Sequence, residues 1–198
     1  GAFIAMMMCI GYTSDQMKEL LYRVKIDSLR EVKLMGIFDS YGICSMDKIA
    51  TLIKYCLRSK GLSPTVNFRQ LNEIKKTRLV MTGTNLNTRE THYFDHINTP
   101  EMEVVNALKI SMCIPFFFNS IRIGKNVYVD GGLIDPLPTL CVGEGNTIAI
   151  NIKNNMTKRC DEIADLETFA LSVAACILQK MEVKHRIGED ILYVEVSS

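Results

Sequence analysis

Histidine is scarce in this sequence, three residues in 198, and no two of its seven cysteines stand at C-x-x-C spacing. The cysteines fall at 9, 44, 56, 113, 141, 160 and 176, none beside a spaced histidine pair, so the zinc and dithiol redox motifs are absent. An odd set scattered through apolar runs reads as reduced core thiols in a reducing compartment. An excess of charge is lacking too. With 23 basic and 22 acidic side chains the net charge is +1, and no basic stripe is interleaved with aromatics, which removes the electrostatic case for nucleic acid. No apolar run reaches the roughly 18 to 20 residues of a membrane span. Residues 2–10 are too short for one, and they lack the basic flank and cleavage site of a signal peptide. The myristoylation pattern fails where Ala5 and Met6 stand. No repeat, low-complexity tract or long linker occurs, so residues 1–198 are expected to form a single soluble, cytoplasmic domain. The "GEGNT" stretch at 143–147 lacks the third glycine of a dinucleotide fingerprint and reads as a loop.

What is present is a switch between two periodicities. Residues 2–10 are an almost wholly apolar, helix-like segment. Thr13-Ser14-Asp15 then offers an N-cap to an amphipathic helix with Met17, Leu20, Leu21 and Val24 on one face. Ser45 and Asp47 introduce a helix whose stripe is Ile49, Leu52, Ile53, Cys56 and Leu57, with Gly61 as its C′ residue. A shorter helical piece is expected within Pro64–Lys76. The period changes at "TRLVMTGTNL" (77–86) and "ETHYFDHI" (90–97), a hairpin turning at Asn87-Thr88-Arg89. Thr99-Pro100-Glu101 has the composition of a helix start, with Met102, Val105 and Leu108 inward and a stop before Pro115. "SIRIG" and "NVYVD" form a second expected hairpin around Gly124-Lys125-Asn126. A buried strand at 147–152, a long helix from 162 to about 186 and a last strand at 191–196 complete an α/β layer fold.

The chemistry is concentrated in "NVYVDGGLIDPLP", residues 126–138. Asp130 ends a strand, the edge at which α/β folds place their sites, and Gly131 and Gly132 let the backbone turn at once beside the carboxylate. Alone, Asp-Gly-Gly is an ordinary way to end a strand. Three blocks in order say more: "RLVMTGTNLNTRETHYF", then "ALKISMCIPFFF", then "NVYVDGGLIDPLP". The second holds Ala107, Ser111, Pro115 and Phe118, and in the third Asp135-Pro136 follows Asp130-Gly131-Gly132. Together these resemble the patatin-like phospholipase family, over roughly residues 1–150.

The resemblance implies a three-layer α/β/α fold with a mostly parallel central sheet, incomplete at the N-terminus. It implies a lipid acyl hydrolase without metal or organic cofactor, acting on phospholipid or other acyl-lipid esters, with possible peripheral membrane contact. Asp130 would be the base of a Ser–Asp dyad, supported by Gly131 and Gly132. Gly1 would be the last glycine of the nucleophile elbow G-x-S-x-G, which places the serine two residues before Gly1 and the glycine-rich oxyanion loop further upstream. The 198 residues contain no G-x-S-x-G of their own, so this chain is expected to be inert in isolation, as a fragment or a non-catalytic relative that binds lipid or protein. Met7, Phe116 and Phe118 are candidates for lining an acyl pocket. Other residues fit catalysis less well. Ser111 and Cys113 lack the flanking glycines of an elbow. His185 follows Asp130 in the chain order of a histidine triad, yet it sits between Lys184 and Arg186 at a helix end and on that helix's apolar stripe. His92 and His96, four apart on an expected strand, would face one side as surface or core residues rather than metal ligands.

Overall fold

The computed structural model describes residues 1–24, 41–141, 148–153 and 190–195, with single positions between 163 and 176. Unbranched alanine and methionine carry helix α1, Ala2–Ile10, until Gly11 takes a left-handed φ of 91° and the N–H groups of Gly11 and Tyr12 close back onto Met8 and Met7. Although apolar all round, α1 buries one side only. Met6, Met7 and Ile10 enter the core, whereas Ile4 and Met8 remain exposed. Helix α2, Ser14–Arg23, starts on the expected Thr13, whose side chain forms a capping box with Gln16. Its predicted stripe is only half-buried, and Leu21 is exposed.

Helix α3, Asp47–Ser59, follows the sequence closely. Ile49, Ile53, Cys56 and Leu57 are buried, and Gly61 ends the turn with φ 73°. Helix α4, Phe68–Lys75, is capped by Asn67 with Gln70 and buries Phe68 and Leu71. Strands β1 (Gly42–Cys44) and β4 (Phe116–Phe118), absent from the sequence reading, pair in parallel with Gly42 opposite Phe116. Both predicted hairpins form: β2 (Met81–Asn85) with β3 (Glu90–Phe94), and β5 (Ile121–Ile123) with β6 (Asn126–Asp130). The hairpins join through β2 and β6 into a four-stranded antiparallel sheet of order β3-β2-β6-β5. Strands β7 (Ile148–Lys153) and β8 (Asp190–Glu195) are a parallel pair within one residue of their expected bounds. In β7, Ala149 is buried but Ile148 and Ile150 are exposed, unlike the wholly buried strand expected.

The α/β class therefore holds with one qualification. Among the described strands, parallel pairing is confined to β1·β4 and β7·β8, and the largest sheet is antiparallel because both its halves are hairpins. Two local expectations fail. Thr99-Pro100-Glu101 is a turn, with Thr99 N–H bonded to Asp95 C=O, and helix α5 begins only at Val104 and ends at Ser111. Pairing of Glu103 with Asn67 holds those residues extended, so a tertiary contact overrides the local helix-start signal. Likewise His92 lies in β3 but His96 lies beyond its end at Phe94, so the two do not share a strand face. The 162–186 helix and His185 lie, for the most part, outside the described residues. Core residues from α1, α3, α4, α5, β1, β2, β3, β4 and β6 form one cluster, with α5 packed across β2 and β6.

Candidate active site

Asp130 is the last residue of β6, and each neighbouring element fixes it differently. Its backbone N–H donates to the Cys113 carbonyl at 2.9 Å, just beyond the end of α5. Its carbonyl accepts from Thr84 Oγ1 at 3.0 Å, across the sheet on β2. Its carboxylate oxygen Oδ1 accepts the Gly132 N–H at 2.7 Å, which aims the side chain back over the turn that follows. That turn, Gly131–Leu133, is a short 3-10 helix capped by Asp130 itself.

The glycines act by what they leave out. A Cβ on Gly131 would overlap the side chain and backbone of Thr82, and a Cβ on Gly132 would sit 3.1 Å from Asp130 Oδ1. Gly83 pairs with Asp130 in the β2–β6 register and has no room for a Cβ, because Ile110 and Phe94 fill that space. A glycine inside a β-rich stretch signals such close approach, and "VMTGTN" carries that signal for Gly83 in the sequence. The support from Thr84 and Cys113 has no comparable local sign.

Burial pushes the Asp130 carboxyl above its ordinary value, against the opposing pull of the Gly132 N–H. Gly1 is the exposed N-cap residue of α1. Gly131 and Gly132 accompany Asp130 in the turn. Next to them the Cys113 thiol is fully buried, donates to the Asn119 carbonyl at 3.0 Å, and is pushed up to about 12 by burial and then by the Asp130 charge. A thiol held neutral in this way is a poor nucleophile.

A family model described as patatin-like phospholipase matches residues 1–140. The chain belongs to the patatin-like phospholipase family. The sequence is 27% identical over 164 residues to the Probable lipid hydrolase 463L of Invertebrate iridescent virus 6, covering 80% of this chain and 53% of that protein. It is 27% identical over 135 residues to Uncharacterized protein R571 of Acanthamoeba polyphaga mimivirus, covering 67% of this chain and 44% of that one. It is 25% identical over 158 residues to Uncharacterized protein YqhO of Bacillus subtilis (strain 168), covering 70% and 52%. The chain thus spans about half the length of these curated relatives.

Within this patatin-like domain the other candidates separate by burial. Met7 is fully buried and Phe118 nearly so, both packed in the core, while Phe116 is exposed. Ser111 ends α5 without the turn of a nucleophile elbow. His92 is engaged elsewhere, its Nδ1 3.2 Å from the Tyr128 hydroxyl and its Nε2 3.5 Å from Asn85 Nδ2. Among the described residues no cluster of three or more His, Cys, Asp or Glu side chains could hold a metal ion, and no helix is long and apolar enough to cross a membrane.

Proposed function

We propose that this domain supplies the base of a Ser–Asp dyad that hydrolyses carboxylic esters of acyl lipids, phospholipids among them. What supports this reading is the half-buried Asp130 at the end of β6, with its proton affinity raised by burial, in a chain of this family. A serine hydroxyl becomes nucleophilic only when a base takes its proton, and a carboxylate lifted toward neutrality is better suited to that task than one in water. The serine belongs to the polypeptide preceding Gly1. Its Oγ attacks the ester carbonyl while Asp130 accepts the proton. Collapse of the tetrahedral intermediate expels the alcohol, which takes the proton back from Asp130 and leaves an acyl-serine. Water, deprotonated by Asp130, then attacks the acyl-serine, and the serine leaves with that proton. The N-terminal end of α1 contributes positive potential where the oxyanion develops. No metal or organic cofactor takes part. A cytoplasmic location with peripheral membrane contact fits such a substrate.

The test uses the full-length polypeptide containing this chain, assayed for release of fatty acid from acyl esters. Asp130→Asn is expected to lower kcat by about 10²–10⁴-fold, the usual worth of a positioned general base. Equal turnover in the two proteins would exclude Asp130 as that base. A second reading is a non-catalytic module that binds lipid or protein. The coding sequence upstream of Gly1 decides between them, since a G-x-S-x-G ending at Gly1 leaves that reading without support.

A further inference from the structure

The three rings of Phe116–Phe118 have unlike surroundings. Phe117 and Phe118 are 6% and 9% exposed, whereas Phe116 is 50% exposed. Phe116 also adopts a left-handed backbone with φ 67°, inside a five-residue turn closed by Phe118 N–H donating to the Ile114 carbonyl at 2.9 Å. For a residue with a side chain that conformation is strained, and glycine adopts it freely. A half-exposed ring offsets that strain only in part through burial. An aromatic held in a costly conformation and facing solvent points to a ligand rather than to packing.

Its place in the chain indicates which ligand. Cys113, whose carbonyl receives the Asp130 N–H, lies three residues before Phe116, so the two Cα atoms are within about 11 Å of each other. Another exposed apolar side chain, Ile134, is four residues beyond Asp130. The next two residues, Phe117 and Phe118, are held in the core with their rings in edge-to-face contact, centroids 4.7 Å apart.

We propose that Phe116 is a specificity-determining residue: its ring is a rigid wall along which the acyl chain of the ester lies, so that it sets the preference for long chains over short ones. The identity of the chain as acyl rests on the hydrolase reading above. The wall is rigid because the left-handed turn and the buried Phe117–Phe118 pair allow the ring little retreat. A long chain gains by covering the exposed face, and a short one does not reach it.

The experiment measures, by isothermal titration below the micelle concentration, the affinities of the full-length polypeptide for decylphosphocholine and hexylphosphocholine, neither of which carries a carboxylic ester. Phe116→Gly removes the ring and suits the left-handed backbone, so its melting temperature is expected to equal or exceed that of the wild type. The ratio of decyl to hexyl affinity is expected to fall by about tenfold in Phe116→Gly and to be largely kept in Phe116→Leu. The kcat/KM ratio for long over short esters is expected to fall in parallel. A binding ratio in Phe116→Gly within about twofold of wild type overturns the proposal. Asp130→Asn separates the two readings: hydrolysis that survives it rejects the dyad, while the binding ratio still decides the role of Phe116.

Discussion

Asp130 shows how much a single side chain owes to neighbours that have none. Its register partner Gly83 faces α5, where the Ile110 methyl and the Phe94 ring occupy the space a Cβ would need. Gly83→Ala must therefore displace either α5 or β3. Overpacking of this kind costs about 1–3 kcal/mol. The expected outcome is a lower denaturation midpoint together with a loss of turnover exceeding the loss of folded protein, because α5 also delivers the Cys113 carbonyl that holds the Asp130 backbone. Chemical denaturation and active-site titration on the same preparation check both parts, and a variant as stable as wild type would show that α5 yields without strain.

Two helices carry the same cap and should respond to its loss in different ways. Asn67 caps α4 and Thr13 caps α2, each in a box with the glutamine three residues on. Helix α4 buries Phe68 and Leu71, so Asn67→Ala should lower global stability by about 1 kcal/mol. Helix α2 has no fully buried residue, so Thr13→Ala should raise hydrogen exchange in its first turns while leaving the denaturation midpoint in place. An equal midpoint shift in both variants would contradict this. Such elements were legible because their signals are local: capping residues, a 3.6-residue stripe in α3, and alternation around Gly124-Lys125 in the β5–β6 hairpin. The three-residue strands β1 and β4 were not, since three residues establish no period and their pairing depends on a long-range contact. Gly42 permits it, because a Cβ there would overlap the Phe118 backbone. The site divides in the same way. Asp130-Gly131-Gly132 stands out in the chain, whereas Thr84 and Cys113 acquire their relation to Asp130 only when β2, β6 and α5 meet.

Across the molecule two carboxyls set opposite pH responses. Asp95 is fully buried. Burial alone would raise its pKa, but the Asn98 N–H, the Arg78 guanidinium and the Ile97 N–H together hold it below its ordinary value. Arg78 also donates to the Cys141 carbonyl at 3.0 Å, so this pair ties the segment after Asp130 to the end of the β2–β3 hairpin. A depressed pKa contributes stability that is present above the unfolded value and lost as pH falls through the folded one. Asp130 works in the other sense. Its raised pKa means that the folded state binds the proton more tightly than the unfolded chain, so folding loses free energy as pH climbs from the ordinary carboxylate value through the raised one. Descending from neutral pH, the wild type should first gain stability as Asp130 protonates and then lose it as Asp95 does. Asp130→Asn keeps an oxygen to accept the Gly132 N–H but carries no charge to bury. It should be more stable than wild type at neutral pH, with the difference vanishing below the ordinary carboxylate range. Asp95→Asn should flatten the acid limb, costing about 3 kcal/mol at neutral pH and less as the wild-type Asp95 protonates, since the Arg78 guanidinium loses its charged partner. Urea denaturation at successive pH values for the three proteins resolves both limbs. If Asp130→Asn were less stable at pH 7 and parallel to wild type at every pH, burial would not be what raises the proton affinity of the proposed base.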